Sequence, residues 1–340
     1  MGKNFSMTMT AFVDQPVSDR PPELSLDDVR RDAIVDSRGV KYKEFKRGLA
    51  PKYGLVWTHL LSGHVVLIAT TIAAIFLYRG APGAVPFIIL GASLIYGYAL
   101  AYILLFFHEA SHYNLARDRE MNDRLANIFI GLLVGQDIKG YRPIHFDHHR
   151  YLGMPEDTEH TYFDPLNIRF IVESLTGVKP MKVLTRREKI AANKGNTQVR
   201  ATLNAQLLAG AAVNGIFLLG MILLGYWPIA VAWVIGMLIV FPFFASVRQL
   251  LEHRSEDARA DVDYTREPHG EVNRMFGSGP LASTLGGAGF NRHLLHHWEP
   301  QISYTRLRDL ERFLLDTEAA PIIERHRTSY TLTFLRLFNH

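Results

Sequence analysis

Nine of the fifteen histidines in this 340-residue chain fall into three clusters and one outlier, all just beyond the ends of apolar stretches. The clusters read His108-Glu-Ala-Ser-His112, His145-Phe-Asp-His148-His149 and His293-Leu-Leu-His296-His297, and the outlier is His253. Imidazole is the commonest side-chain ligand for transition metals, and eight or nine of them are about twice what one ion needs. The count points to a two-metal site. The chain has no cysteine, which excludes a haem thiolate, a Cys-ligated iron–sulfur cluster and a zinc–thiolate site.

Spacing carries the geometry. Residues three and four apart share a helix face, so His108 and His112 can reach one metal, and each His-x-x-His-His element can offer three nitrogens to two adjacent metals. Adjacent histidines in a hydrophobic protein are costly unless each lone pair has a partner. His108, Glu109 and His112 also satisfy the zinc-protease pattern His-Glu-x-x-His, but a protease needs one further ligand and would leave two clusters unexplained. His59, His64 and His340, taken singly, read as ordinary hydrogen-bonded histidines.

Hydrophobic residues make up 48% of the chain although 70 residues are charged, so the apolar ones must be concentrated. Four stretches are long enough to cross a bilayer core, which takes about 20 residues of helix. They run approximately from Leu60 to Tyr78, Pro86 to Phe107, Leu203 to Tyr226 and Pro228 to Ser246, without an Asp, Glu, Lys or Arg among the central residues. Short connectors, Arg79 to Val85 and Tyr226-Trp-Pro228, make two helical hairpins with both termini and the 108–202 segment on one side. Of the 37 lysines and arginines only Arg79 falls in a connector, so the positive-inside rule makes the histidine side cytoplasmic. The first 56 residues are polar and charged, with Pro16, Pro21 and Pro22, and show no cleavable signal. The expected architecture is all-α and integral to the membrane: an N-terminal cytoplasmic segment 1–56, a membrane domain 57–320 with a helical, histidine-rich cytoplasmic part, and a tail 321–340.

Leu125 to Val134 is apolar but too short to span. Lys179, Lys182, Arg186, Arg187, Lys189, Lys194 and Arg200 read first as a solvated loop on the positive side, with a docking surface for an acidic redox protein or anionic lipid as the alternative. A net charge of +4 without interleaved aromatics gives no support to nucleic-acid binding. Gln301 to His340 reads as one amphipathic helix interrupted at Pro321, with Leu307, Leu310, Phe313 and Leu314 on one face.

From about residue 50 to 320 the chain resembles the membrane-bound fatty-acid desaturase superfamily, and it is similar to bacterial desaturase-like proteins. The resemblance rests on His-x-x-x-His after the second span and His-x-x-His-His in the cytoplasmic segment and again after the fourth. It implies two irons held by His108, His112, His145, His148, His149, His253, His293, His296 and His297, with His253 as the extra ligand after the last span and His160 as its competitor. It also implies O2 as co-substrate, a lipid or fatty-acyl substrate, and an inner-membrane setting with the metals cytoplasmic. The sequence holds no His-Pro-Gly-Gly haem-binding element, so electrons are expected from a separate carrier such as ferredoxin, rubredoxin or cytochrome b5.

Among the supporting residues, Asp147 and Glu252 adjoin ligands and are candidate acceptors for imidazole N–H groups, with Asp157 and Asp164 further candidates. Gln249 stands where some family members carry an asparagine that acts through water. Tyr98, Tyr102 and Phe106 recur on one face of the second span and are candidates to line an apolar substrate tunnel. The expected reaction is desaturation of an acyl chain, with hydroxylation or oxidative decarboxylation to a terminal alkene as alternatives. A metal transporter or sensor would need ionisable ligands within the spans, where only His64 is found.

Overall fold

The computed structural model describes residues 25–193 and 197–338, with side chains at all of them except 184, 187–193 and 197–204. Among these residues no strand forms; the only β pairing is isolated bridges such as Val35–Lys41. A short helix α1 (Tyr42–Arg47) precedes α2 (Tyr53–Gly80) and α3 (Val85–Ser111). Pro86 sits in the first turn of α3, where its missing N–H has no helical partner to lose. The 27 residues of α3 rise ~40 Å, about 10 Å more than a ~30 Å hydrocarbon core needs. Box one therefore lies on the same unbroken helix as the second span, one to two turns beyond the apolar core, instead of following a helix that stops at Phe107.

Next come α4 (Arg119–Ala126), a π-helical turn at Asn127–Gly131, α5 (Leu132–Val134) and α6 (Ile138–Tyr151), which carries box two. The α4–α5 stretch packs on α9 (Thr197–Leu223), reached through α7 (Ile168–Leu175) and α8 (Val178–Asn193). The basic run is thus helical at α8 and not a solvated loop. Lys179 is buried against Asp164 and lies 4.7 Å from the centre of the Phe170 ring. Lys182 binds Glu173 at 2.7 Å, and Arg186 donates to the Pro155 carbonyl at 2.5 Å. The side chains of Arg187, Lys189 and Arg200, together with Lys194, His340 and Pro16, Pro21 and Pro22, lie outside what is described.

The fourth span is α10 (Trp227–Ile235), a π-helical turn at Gly236–Val240 and α11 (Phe241–His253), which run on without a break. Among the described residues four helices are long and apolar enough to cross a membrane: Tyr53–Gly80, Pro82–Ser111, Ala205–Leu223 and Trp227–His253. Half of the most apolar window of the second is buried inside the protein, against 6% for the third, so α3 is the hub and α9 the outermost. From residue 205 on, the side chains that α9 leaves uncovered, Ile216 and Leu223 among them, are apolar, as lipid contact requires.

Close approach at the hub depends on glycine. A Cβ on Gly97 would collide with the Val240 side chain, and one on Gly236 would press on Tyr96, so α3 meets the π turn backbone to backbone. Trp233 donates to Asn214 at 2.9 Å, and Asn214 donates to the Leu133 carbonyl at 3.1 Å, tying three elements together by hydrogen bonds inside the apolar layer.

After α12 (Pro280–Thr284) and α13 (His293–Trp298), which carries box three, the chain forms α14 (Tyr304–Leu314), α15 (Ala320–Arg325) and α16 (Tyr330–Leu337). The expected single C-terminal helix is three. Pro321 begins α15 rather than breaking a longer helix, because a first-turn position tolerates proline. Leu307, Leu310, Phe313 and Leu314 are all buried, and they pack against Leu26, Ile34 and Tyr42 from the N-terminal segment. That segment also reaches box three. Arg31 and Lys46 bind the buried Glu299 at 3.2 and 2.5 Å, and Arg31 lies 4.9 Å from the centre of the Trp298 ring.

Gly97→Val is expected to destabilise the protein by about 1–3 kcal/mol, the usual cost of overpacking. Gly91→Val, on the same helix but with nothing near its Cβ, should change little. Thermal unfolding midpoints in detergent check the contrast.

Candidate metal centre

The nine clustered histidines come from four helix segments, and each segment is pinned locally. The end of α3 is held by Arg142 of α6, which donates to the carbonyls of Ser111 and Ala110 and pairs with Asp123. Asn122 completes the hold, donating to the Ala110 carbonyl and accepting from the Leu115 amide, each at 2.9 Å. Tyr113 then stops the helix in the left-handed region (φ 62°) with its ring against the Arg142 guanidinium. Asp137 caps α6, accepting from the Gly140 amide at 3.1 Å.

These segments sort the histidines into two groups. His108, His112, His145, His149 and His296 bring one ring nitrogen each within 4.8 Å of one another, and so do His148, His253, His293 and His297. The sorting follows from helix geometry. Residues four apart differ by ~40° around a helix, whereas neighbours differ by ~100°. On α6 the pair His145 and His149 enters the first group and His148 turns to the second. On α13 the pair His293 and His297 enters the second and His296 turns back to the first. Each His-x-x-His-His thus serves both groups, with opposite majorities.

The residues fit metal ions. Nε2 of His145 lies 2.8 Å from Nε2 of His112 and 2.9 Å from Nε2 of His149, which is 3.0 Å from Nε2 of His296. In the second group, Nε2 of His293 lies 2.9 Å from that of His253 and 3.1 Å from that of His297. Two nitrogens each ~2.1 Å from one ion at right angles are ~3.0 Å apart, so the spacings match a shared cation. Among the described residues neither ring nitrogen of the buried His108 has a hydrogen-bond partner, and ligation would satisfy one of the two. Burial pushes His112, His149, His293, His296 and His297 well below the usual imidazole range, and neighbouring histidines push the same way. They are neutral near pH 7, the form that ligates.

Behind the imidazoles stands a ring of acceptors. Burial lowers His148, but the charges of Asp157, Glu159 and Glu252 and the hydrogen bond to Asp157 outweigh it and carry it up to about 9. Asp157 accepts from His148 Nδ1 at 3.0 Å while itself held by the Tyr162 hydroxyl at 2.6 Å and the Glu159 amide at 2.7 Å. His253 donates from Nδ1 to the Val272 carbonyl at 3.0 Å, which leaves Nε2 for the second group. Glu252 lies 4.0 Å from His293 and is held by Arg248 and the Tyr330 hydroxyl, both at 3.2 Å. Gln249 reaches the centre indirectly: it donates to Glu159 at 2.5 Å, and Glu159 approaches His145 Nδ1 at 3.9 Å. Asp147 is half-buried, and the carboxylate on His148 is Asp157, nine residues beyond that histidine. Asp164 is engaged with Lys179.

The remaining candidates fall as follows. Glu109 is fully buried and turns to the Tyr304 amide (3.3 Å) and Ser303 hydroxyl (3.5 Å), so it belongs to the packing of α3 on α14 and not to a protease-like site. His59 meets the Tyr304 hydroxyl at 3.0 Å and His64 the Phe129 carbonyl at 2.8 Å, as packed histidines do. His160 belongs to neither group. Phe106 is wholly buried between Tyr102 and Tyr304, Tyr102 packs against Gly287, and Tyr98 bonds Thr284 at 2.7 Å. The stripe therefore faces the segment leading into box three. Nothing in the sequence singles out Glu159, Val272, Arg142 and Tyr330, because only tertiary contact brings them to the histidines.

The fatty acid desaturase family matches residues 83–331, a stretch containing all nine histidines, and the chain belongs to that family. Among curated proteins no relative matches it. It is an integral membrane protein of an oxidoreductase family that acts on lipids.

Asp157→Asn is expected to weaken metal binding at the second group by about 10–100-fold, the usual effect of losing a carboxylate behind a ligating histidine. Metal titration should show one site weakened and the other retained.

Proposed function

We propose that the two histidine groups hold a pair of irons and that the protein uses O2 to introduce a double bond into a fatty acyl chain. The observation that carries this reading is the sorting of nine histidines into groups of five and four inside a desaturase-family domain. When bound, the irons would supply electrons to O2 and hold the oxidant that attacks an unactivated C–H bond. The chain's own side chains do the rest. Asp157 and the Val272 carbonyl orient His148 and His253, and Glu159 and Gln249 stand behind His145. Phe290, stacked on His293 with ring centres 5.0 Å apart and 4.4 Å from His108, walls the centre with apolar surface, and Tyr141 stacks on His145. Such walls exclude the water that would otherwise compete for the oxidant. The substrate reaches them from the bilayer past the half-buried Tyr98 and Tyr102 of α3 without crossing water, while Phe106, wholly buried, packs behind them. Removing two hydrogens supplies two of the four electrons that take O2 to water, and the other two come from a separate carrier.

The reading includes two helical hairpins with the histidine end cytoplasmic. The concentration of lysine and arginine at that end supports it. Because the chain has no cysteine, a single Gly83→Cys in the first connector can be labelled cleanly. A membrane-impermeant maleimide should react with it from outside intact cells; labelling only after lysis reverses the orientation.

The reaction is tested by mass spectrometry of lipids and volatiles from cells expressing the wild type beside His148→Ala, His253→Ala and His160→Ala. A product lighter than an acyl substrate by two hydrogens should be absent with the first two variants and retained with the third. A hydroxylated chain or a terminal alkene would move the assignment to another oxidation of the same chain. Activity lost with His160→Ala and kept with His253→Ala would remove His253 from the ligand set.

A further inference from the structure

The outer face of α6 has a composition of its own. Lys139, Pro143, Phe146 and Arg150 recur along it at three- and four-residue spacing and all are exposed, while His145 and His148 of the same helix are buried. Phe146 is 43% exposed, yet its ring lies 5.5 Å from that of His112 and 6.3 Å from that of His145. One aromatic side chain thus has one side in solvent and the other against the first histidine group. A cationic rim continues beside it. Next to His112, Tyr113 packs between the guanidinium groups of Arg142, at 4.0 Å, and Arg119, at 4.8 Å, and Arg119 and Arg117 are exposed. The acids of α4 and its cap are engaged: Asp123 by Arg142, Glu120 by Arg124, and Asp118 by the amide of Met121.

We propose that this face receives a separate, acidic one-electron carrier protein, with Phe146 at the centre of the contact and Lys139, Arg150 and Arg119 around it. The inference rests on the oxidase reading above, which needs electrons from outside the chain. Aromatic and arginine side chains are favoured at protein–protein contacts, and a positive rim steers an acidic partner. A membrane-binding face would instead present several exposed apolar side chains in a row, where α6 presents Phe146 set among cations. Each docking passes one electron from the reduced carrier, which leaves oxidised. Two dockings supply the pair that O2 reduction needs beyond the pair taken with the substrate hydrogens.

The test uses the as-purified full-length protein in lipid nanodiscs, titrated at low salt with a plant-type ferredoxin as the acidic probe. Lys139→Glu combined with Arg150→Glu is expected to weaken binding about tenfold or more, and high salt should erase the difference. Loaded with ferrous iron, the same variant should lose ferredoxin-driven turnover. It should keep wild-type product yield in a single turnover started by O2 after chemical pre-reduction and removal of the reductant. Ferredoxin affinity unchanged by the charge reversal, or no salt-sensitive binding by the wild type, overturns the proposal. So does a variant whose only defect is weaker association with phosphatidylglycerol vesicles, which would make the face a lipid contact. A wild type that forms no product even after pre-reduction counts against the oxidase reading, and the binding comparison still decides the docking face.

Discussion

Nine imidazoles crowded together, six of them buried, have lone pairs aimed at one another, and only positive charge between them makes that arrangement favourable. The rest of the structure answers to this constraint. Ring nitrogens held 2.8–3.1 Å apart cannot all be satisfied by hydrogen bonds to each other, since each neutral ring has one proton to give. The fold keeps them there by rigid means: α3 and α11 run unbroken from the apolar layer to the ligands, and Arg142 and Asn122 fix the point where α3 stops. Glycine contacts between Gly97 of α3 and Gly236 of the π turn bring α3 close to the span that ends in α11, and His108 and His253 at their ends enter the two different groups.

Much of this is legible in the amino-acid sequence, for reasons that differ from element to element. Histidine spacing and apolar runs are local signals, and the four helices and three boxes follow from them. The group each histidine joins depends on α6 and α13 facing each other, which no local pattern records. Asp147 stands out in the sequence as the neighbour of His148, but adjacent residues diverge around a helix, and Asp157 reaches the same imidazole from a loop. Lys179 illustrates the converse. A lysine in a basic run suggests solvent, yet an acid brought in by the loop that precedes α7 lets it be buried. The C-terminal helices depart from the single interrupted helix expected there because proline both ends and begins helices, and Pro321 does the latter.

The N-terminal segment shows that the working unit is larger than the family domain. The family match begins at residue 83, whereas Arg31, Tyr42 and Lys46 pack on Trp298 and Glu299 immediately after box three. A carboxylate as buried as Glu299 is tolerable only with its cations in place, so the position of α13 is set in part by residues the family does not share through that match.

The crossed sharing of α6 and α13 has a consequence for assembly. An ion entering either group fixes the side-chain rotations of both helices, because each contributes to both groups. A second ion would then meet ligands whose ordering entropy has already been lost, a gain that offsets part of its repulsion from the first. On the two-metal reading, loading of one group therefore pre-orders the side chains of the other.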